Sequence, residues 1–481
     1  MEGWLSSSQF AEQFSLGDTP NIHITTPAPC PSDYGEGKSY WIETYPIDFE
    51  DECRTATLPE EVDVVVIGTG ITAAAVLYNL AEQRPDLQIA VVEARGICSG
   101  ATGRNGGHIC RAEGTSLRSL VELVGRDEAL RLSKLGTRNR DLMFAAIDNL
   151  GISDKVDLRL TGTRVVFASE EEREEYHAEM DFAKVLGISL EGHYLDPEQL
   201  AQESNLSSGW GKFGSDCIDK SGSIFPRKLV AELLRDARKR IPGLTIHSSN
   251  PVRSVTRQEV ASVPSYTVTT DRGTIRSRVV VHATNAYVSY LIPSLKGREG
   301  VLGCKAECIA VTPNVSATSS NTPLGLRGGL GFEEFSHYII QRPDNGPFIY
   351  GWAGIEKVGD YDDSTTLPLD ANQKPPACDL MAEFLEKGFP QSFREIDLQR
   401  DISHRWTGVQ GHTKTGASLV GRWSKESPGE FISVGHNGEG MGRCFACATV
   451  ITDRLLHYLD GKNDDSWTPF DWFPRSFLYN I

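Results

Sequence analysis

Gly68, Gly70 and Ala73 stand in the order G-T-G-I-T-A, directly after the apolar, β-branched run V-D-V-V-V-I at 62–67. A buried strand turning sharply into a helix leaves free N–H groups at the helix start, and these hold phosphate. The first glycine permits the turn and the second lets the backbone approach a pyrophosphate. The third position needs only a small side chain for helix–strand packing. A second apolar strand at 89–92 ends at Glu93, 25 residues after Gly68. An acid there accepts hydrogen bonds from a ribose 2′-hydroxyl and repels a 2′-phosphate. Strand, turn, helix, strand and acid together form a dinucleotide fingerprint, with Ile71, Thr72 and Ala94 as flanking contacts.

NAD and FAD both satisfy that much, and the following residues separate them. Residues 98–109 read C-S-G-A-T-G-R-N-G-G-H-I. A Gly-rich, Arg-containing loop after the acid is unnecessary for NAD. It suits a longer cofactor that runs on past the pyrophosphate, lined by Ala101, Thr102, Asn105, Gly106 and Gly107, with Arg104 available to its charge.

Together, G-T-G-I-T-A, Glu93 and S-G-A-T-G-R-N-G-G-H resemble the D-amino-acid oxidase (DAO) family of FAD-dependent amine oxidoreductases, which includes sarcosine, glycine and γ-glutamylputrescine oxidases. S-Y-W at 39–41 resembles the start of fungal-type members. V-V-V-H-A-T-N-A-Y at 279–287 is similar to the family strand whose A-T-N-A-Y end borders FAD. Residues 405–421 and G-H-N-G-E-G-M at 435–441 are similar to the C-terminal W-x-G…G-x-N-G-x-G-M block, whose helix N-terminus faces the flavin. The likeness spans about residues 39–460. It implies non-covalent FAD, with Val252, Ala283, Thr284, Gly438, Gly440 and Met441 among its contacts. It also implies oxidation of an amine or amino acid to an imine, with O2 as acceptor. A dehydrogenase or biosynthetic tailoring enzyme and a non-catalytic flavin-binding protein are the alternatives. Where the family often shows T-P-D-x-x-P-x-I-G, this chain has T-K-T-G-A-S-L-V-G at 413–421. Lys414, Thr415 and Ser418 therefore replace Pro, Asp and Pro on the substrate side.

Flavin carries the redox step and the protein positions and tunes it. A neutral amine needs no strong base, and the chain shows no convincing acid/base dyad. Stabilisation of negative charge on the reduced ring is needed, and N–H groups after Gly438-Glu439-Gly440 can supply it. His436 and Asn437 either point at the flavin or shape the turn. Trp406 either walls the substrate pocket or packs in the core. His108 and Arg111 cover the ring, hold a substrate carboxylate, or are structural. Some relatives place a Lys near Lys357, close to flavin N5, where a cation helps O2 accept an electron; the alternative is a surface lysine. Arg342 and Tyr338 face the substrate or the core. Cys98 and His108 are the nearest candidates for a covalent flavin link.

The βαβ unit gives an α/β fold, and the resemblance implies a Rossmann-like FAD-binding domain with a second α+β substrate domain on a mixed or antiparallel sheet. The division expected is 1–38, an N-terminal extension; 39–115, 222–300 and 400–481, the FAD-binding domain with its C-terminal helix; and 116–221 and 301–399, the substrate domain. Helical periodicity covers 116–150, 169–187 and 225–240, and a helix follows the glycine-rich turn from about 441 to 459. Strands are predicted at 161–168, 244–247, 266–270, 279–283 and 431–434, with a hairpin of 337–341 and 348–352 around P-D-N-G-P. Residues 360–378 read as a surface loop.

The 481 residues carry a formal net charge of −17, which argues against nucleic acid as the main partner. No apolar run is long enough to span a membrane and the start lacks signal-peptide features, so a cytoplasmic location is the expectation. Ten cysteines are too few for a disulfide scaffold, and Cys444 and Cys447 read as packed helix thiols. No metal site is expected. Two other glycine clusters fail as a second dinucleotide fingerprint: G-L-G-F-E-E at 329–334 has no apolar β-branched strand before it, and Gly435, Gly438 and Gly440 have the spacing G-x-x-G-x-G, wrong for the turn.

Overall fold

The continuous apolar runs become strands buried on both faces. The computed structural model describes residues 26–33, 38–110, 116–260, 263–297, 299–315, 326, 328–332, 337–358, 376–463 and 466–479. Glu61–Ile67 pairs in parallel with Ile89–Val92 on one side and Gly273–His282 on the other. Leu244–His247 extends this sheet in parallel beyond Ile89–Val92, and Ser427–Val434 extends it beyond Gly273–His282. Leu419–Ser424 and Leu478–Tyr479 complete that edge. Successive side chains of a strand face opposite ways. Val64 and Val66 accordingly join the helix-side core with residues of Ile71–Gln83, Pro226–Arg240 and Gly440–Leu459. Val65 and Ile67 instead pack against Tyr266 and Val268 of an antiparallel ribbon, Val252–Val260 and Val263–Thr270.

The second sheet runs Ile402–His412, Leu302–Val311, Phe348–Val358, His337–Gln341, Gly329–Phe332, Thr163–Val166, Ser215–Ile218, His193–Leu195. It is antiparallel except where Gly329–Phe332 lies parallel to Thr163–Val166. The P-D-N-G-P hairpin closes through Asp344 and Asn345, both at positive φ, as a tight two-residue turn requires. The helix Pro376–Gly388 backs this sheet, with Phe384 packed edge-on against Trp210 and Phe332.

The α/β architecture with a second, mixed sheet is as expected, but two boundaries differ. Ile402–His412, expected in the last FAD-domain segment, pairs along Leu302–Val311 in the second sheet. Arg126–Leu150, expected in the substrate domain, buries Leu135, Met143, Ala146 and Ile147 in the core of the first. Among the described residues, no helix is long and apolar enough to cross a membrane. The expected loop at 360–378 falls almost wholly outside the described residues, as do Arg111 and the side chain of Lys357.

Candidate functional site

A cleft of about 520 Å³ runs from the glycine turn of the first sheet to the face of the second, within the ~300–1,000 Å³ usual for ligand sites. The chain makes its first turn at Gly68, whose φ is +106° and whose absent Cβ would stand 2.8 Å from the Ala283 carbonyl oxygen. Gly70 precedes the helix Ile71–Gln83 in an extended conformation. A Cβ there would meet only Thr102 Oγ1, at 3.2 Å, and otherwise enter the cleft. The turn thus leaves the cradle that a pyrophosphate needs. Thr102 Oγ1 accepts from the Ile71 N–H at 3.1 Å, tying the second loop to the helix start.

Glu93 holds this turn in shape. Its Oε2 accepts from Thr69 N and Thr69 Oγ1 at 3.0 and 2.6 Å, and its Oε1 accepts from Arg95 N at 3.0 Å. The carboxylate lines the cleft with Ala94, Arg95 and Val252, so lone pairs remain for ribose hydroxyls. Ile71, Thr72, Ala101, Asn105, Gly106, Gly107, Ala283 and Thr284 also line it.

At the far end, Gly435 to Gly440 bring the helix Gly440–Leu459 against the cleft. Gly435 N and His436 N donate to Asn285 Oδ1 at 3.0 and 3.2 Å. Asn437, at φ +53°, accepts from Thr413 N through Oδ1 and donates Nδ2 to Gly435 O. Glu439 precedes the helix without a side-chain cap, and Gly438, Gly440, Met441 and Gly442 line the cleft. An uncapped helix start carries partial positive charge. Asn139 fixes it from behind, donating to Met441 O and accepting from Ala446 N.

Four expected site residues have their polar groups engaged elsewhere. Arg104 lines the cleft and donates Nε to Ser99 O at 2.7 Å and NH1 to Thr407 O at 3.0 Å, so its guanidinium ties the loop to the second sheet. Trp406 is buried off the cleft and donates Nε1 to Arg104 O at 2.8 Å: it packs rather than walls a pocket. Arg342 ion-pairs with Asp157 and lies over the rings of Trp41 and Phe225, away from the cleft. His436 lines the cleft but its ring is held between Ser418 Oγ (3.1 Å from Nδ1) and Thr72 Oγ1 (3.4 Å from Nε2), which makes it a bridge between turns. Ser418, the departure from the family pattern, supplies that contact, whereas Lys414 pairs with Glu299 at the exposed surface.

His108 and Tyr338 do meet in the cleft, ring to edge at 5.6 Å. Tyr338 lies flat over Gly351 and Gly106, where any Cβ would strike its ring. Cys98, buried and off the cleft, donates its N–H to Thr69 Oγ1. Lys357 occupies the strand Phe348–Val358 with its backbone opposite Lys305.

The far chamber is also lined by Asn285, Ala306, Cys308, Gly408, Gln410 and His412, which sequence reasoning did not single out. The signal for Ala306 and Cys308 was alternation: Cys304, Ala306, Cys308 and Ala310 share one face of Leu302–Val311, and Lys305 and Glu307 the other. Burial holds His108, His412 and His436 down at about 4, and pushes the Cys308 and Cys444 thiols up to about 12. These five groups are therefore neutral at pH 7. All ten cysteines are free thiols, including Cys444 and Cys447 inside the last helix. Away from the cleft, His193, Cys217 and Asp219 gather their ligand atoms within 4.8 Å at an edge of the second sheet.

Known proteins share this architecture. A glycine oxidase from Geobacillus kaustophilus is 22% identical over 87% of this chain and 97% of its own. A protein described as a probable oxidoreductase, OrdL, from Rhizobium meliloti (strain 1021) is 27% identical over 83% and 87%. Among solved structures, the G. kaustophilus glycine oxidase superposes with a TM-score of 0.66 at 20% identity, covering 87% of this chain and 98% of that one. L-proline dehydrogenase from P. horikoshii gives 0.65 at 19%, covering 84% and 95%. The sequence profile of the DAO family, FAD dependent oxidoreductase, matches residues 63–454, from the first strand to the last helix. Gly68, Gly70, Glu93 and the uncapped start of Gly440–Leu459 line the one cleft that joins the two sheets among the described residues, and the chain belongs to the DAO family of FAD-dependent oxidoreductases.

Proposed function

We propose that the protein oxidises the C–N bond of an amine or amino acid to the imine, which water then hydrolyses, with O2 as electron acceptor. FAD, when bound, supplies the acceptance of two electrons from the substrate and their passage to O2, giving H2O2. Gly68, Gly70, Thr102 and Glu93 would hold its dinucleotide half, and Asn105, Gly106 and the Gly438–Met441 turn its ring half. The supporting observation is the chamber between the start of Gly440–Leu459 and the second sheet. His436 and Cys308 are buried, His108 and His412 half-buried, and desolvation keeps all four neutral. Such a chamber favours a neutral amine over an ammonium, because burying an unpaired charge is costly. The helix start offers N–H groups to negative charge that develops opposite the substrate. Tyr338, held flat by two glycines, and His108 form a wall against which a substrate side chain can pack.

A panel of primary amines, secondary amines and amino acids, assayed for H2O2 with a peroxidase-coupled dye, tests the oxidase reading. Peroxide formed in proportion to imine-derived carbonyl supports it. Carbonyl without peroxide would assign the dehydrogenase alternative, and neither product with any member would leave only flavin binding.

A further inference from the structure

We infer that residues 26–33 and 38–44, which precede the family match at residue 63, are part of the cofactor site and retain FAD by walling its adenosine half and backing the loop 101–107. This rests on the FAD assignment above.

Two described pieces carry it. In the first, Cys30 and Pro31 line the cleft, together with Arg95, Val252, Tyr287 and Tyr290 near Glu93. Anchoring comes from Ala28, whose N–H donates to Ser289 Oγ at 2.8 Å and whose methyl packs with Ala286, Tyr287 and Val409. Cys30 is 1% exposed, with Sγ 3.1 Å from Ser32 Oγ. Arg95 lies over the Tyr287 ring at 5.7 Å. Apolar and aromatic surfaces thus collect beyond the ribose-side acid, where a purine would stack.

In the second piece, Ser39 caps the short helix Tyr40–Thr44 and its hydroxyl donates to Gly103 O. Trp41, fully buried, donates Nε1 to Asn105 O at 2.7 Å. Gly107 can turn there only because it lacks a Cβ, which would meet the Trp41 ring at 2.9 Å. Both carbonyls belong to the loop whose opposite side faces the cleft. A dinucleotide lying in this cleft is therefore bounded on its outer side by residues that precede the fingerprint.

Release of FAD from the intact holoprotein, from a chain lacking residues 1–33, and from Trp41→Phe tests this, followed by the rise in flavin fluorescence after dilution. Thermal unfolding of each apoprotein is measured alongside. Removing the first piece should speed release by about tenfold or more, and Trp41→Phe, which removes one hydrogen bond, by about three- to tenfold. Apoprotein melting should change little in the truncated chain; in Trp41→Phe, which leaves the Asn105 carbonyl without its indole donor, it should fall, but by less than holoprotein melting. Release at the intact rate in both variants would overturn the inference. So would apoprotein melting lowered as much as that of the holoprotein, because the segment would then support the fold alone. An intact protein that takes up no FAD would instead overturn the cofactor assignment.

Discussion

Within the glycine turn and its acid, the hydrogen bonds close over short stretches of chain. Thr69 reaches Glu93 across 24 residues and Ile71 reaches Thr102 across 31. At the ring end, the partners are remote in sequence: Arg104 to Thr407 across 303 residues, Trp406 to Arg104 across 302, Thr72 to His436 across 364. The phosphate turn and Glu93 are set by backbone geometry that one strand–turn–helix–strand unit supplies largely by itself, and Cys30 and Pro31 close that end of the cleft from outside it. The ring half exists only once the two sheets and the last helix have docked. Substitutions at the first end should therefore change cofactor affinity with the fold intact. Those at the second should change stability before they change affinity.

The largest effect expected is from Gly70→Leu, which places a side chain in the phosphate cradle and against Thr102. FAD affinity should fall on the order of a hundredfold, or ~2.7 kcal/mol, while apoprotein melting changes little. Full FAD occupancy in the variant would show that the cradle is misassigned. Glu93→Ala should follow, weakening affinity by about tenfold or more through loss of charge-assisted bonds to ribose and to Thr69. An unchanged Kd in an apoprotein titration contradicts the ribose role. Trp406→Phe sharpens the contrast from the other side. It leaves the Arg104 carbonyl without its indole donor, so stability should drop by ~1 kcal/mol with FAD affinity held. A KM change without a melting change would return Trp406 to the substrate pocket.

The smallest effect at neutral pH concerns the desolvated histidines. His108, His247, His337, His412 and His436 are all lowered by burial from 6.5 to about 4. Between those values the unfolded chain binds protons that the folded chain refuses. Their contribution to stability is therefore complete above about 6.5 and is lost as pH falls toward 4. His436→Asn should flatten the acid-side slope of stability against pH by about one proton. A slope identical to that of the unsubstituted protein would mean that His436 already binds its proton when folded.

The same contrast explains what the residues revealed before the fold. The fingerprint was legible because Val64 to Ile67, Gly68, Gly70 and Glu93 are fixed by short-range geometry, and the structure sets them as that geometry requires. Arg104, Trp406 and Arg342 have side chains suited to a site, but their partners lie far along the chain. For Arg342 the partner is Asp157, 185 residues away. Leu302–Val311 and Ile402–His412 were missed as strands because Lys305, Glu307, Arg405 and Gln410 interrupt their apolar pattern. One face alone of each carries the chamber. Ser418 could be seen to depart from the family pattern, but its contact with His436 depends on the docking of two turns.

The reduction of bound FAD in the absence of O2 tests the proposed chemistry most directly. The chain shows one dinucleotide fingerprint, at Gly68, Gly70 and Glu93, and the proposal fills it with FAD, so electrons must come from the substrate itself. Under argon, flavin absorbance near ~450 nm, the oxidised-flavin band, should bleach with a suitable amine or amino acid, and faster at alkaline pH where the amine is neutral. NADH and NADPH should leave it unbleached over the same time. Rapid bleaching by NADPH, with none by any amine, would contradict the amine-oxidation proposal and assign the protein as a reductase or monooxygenase.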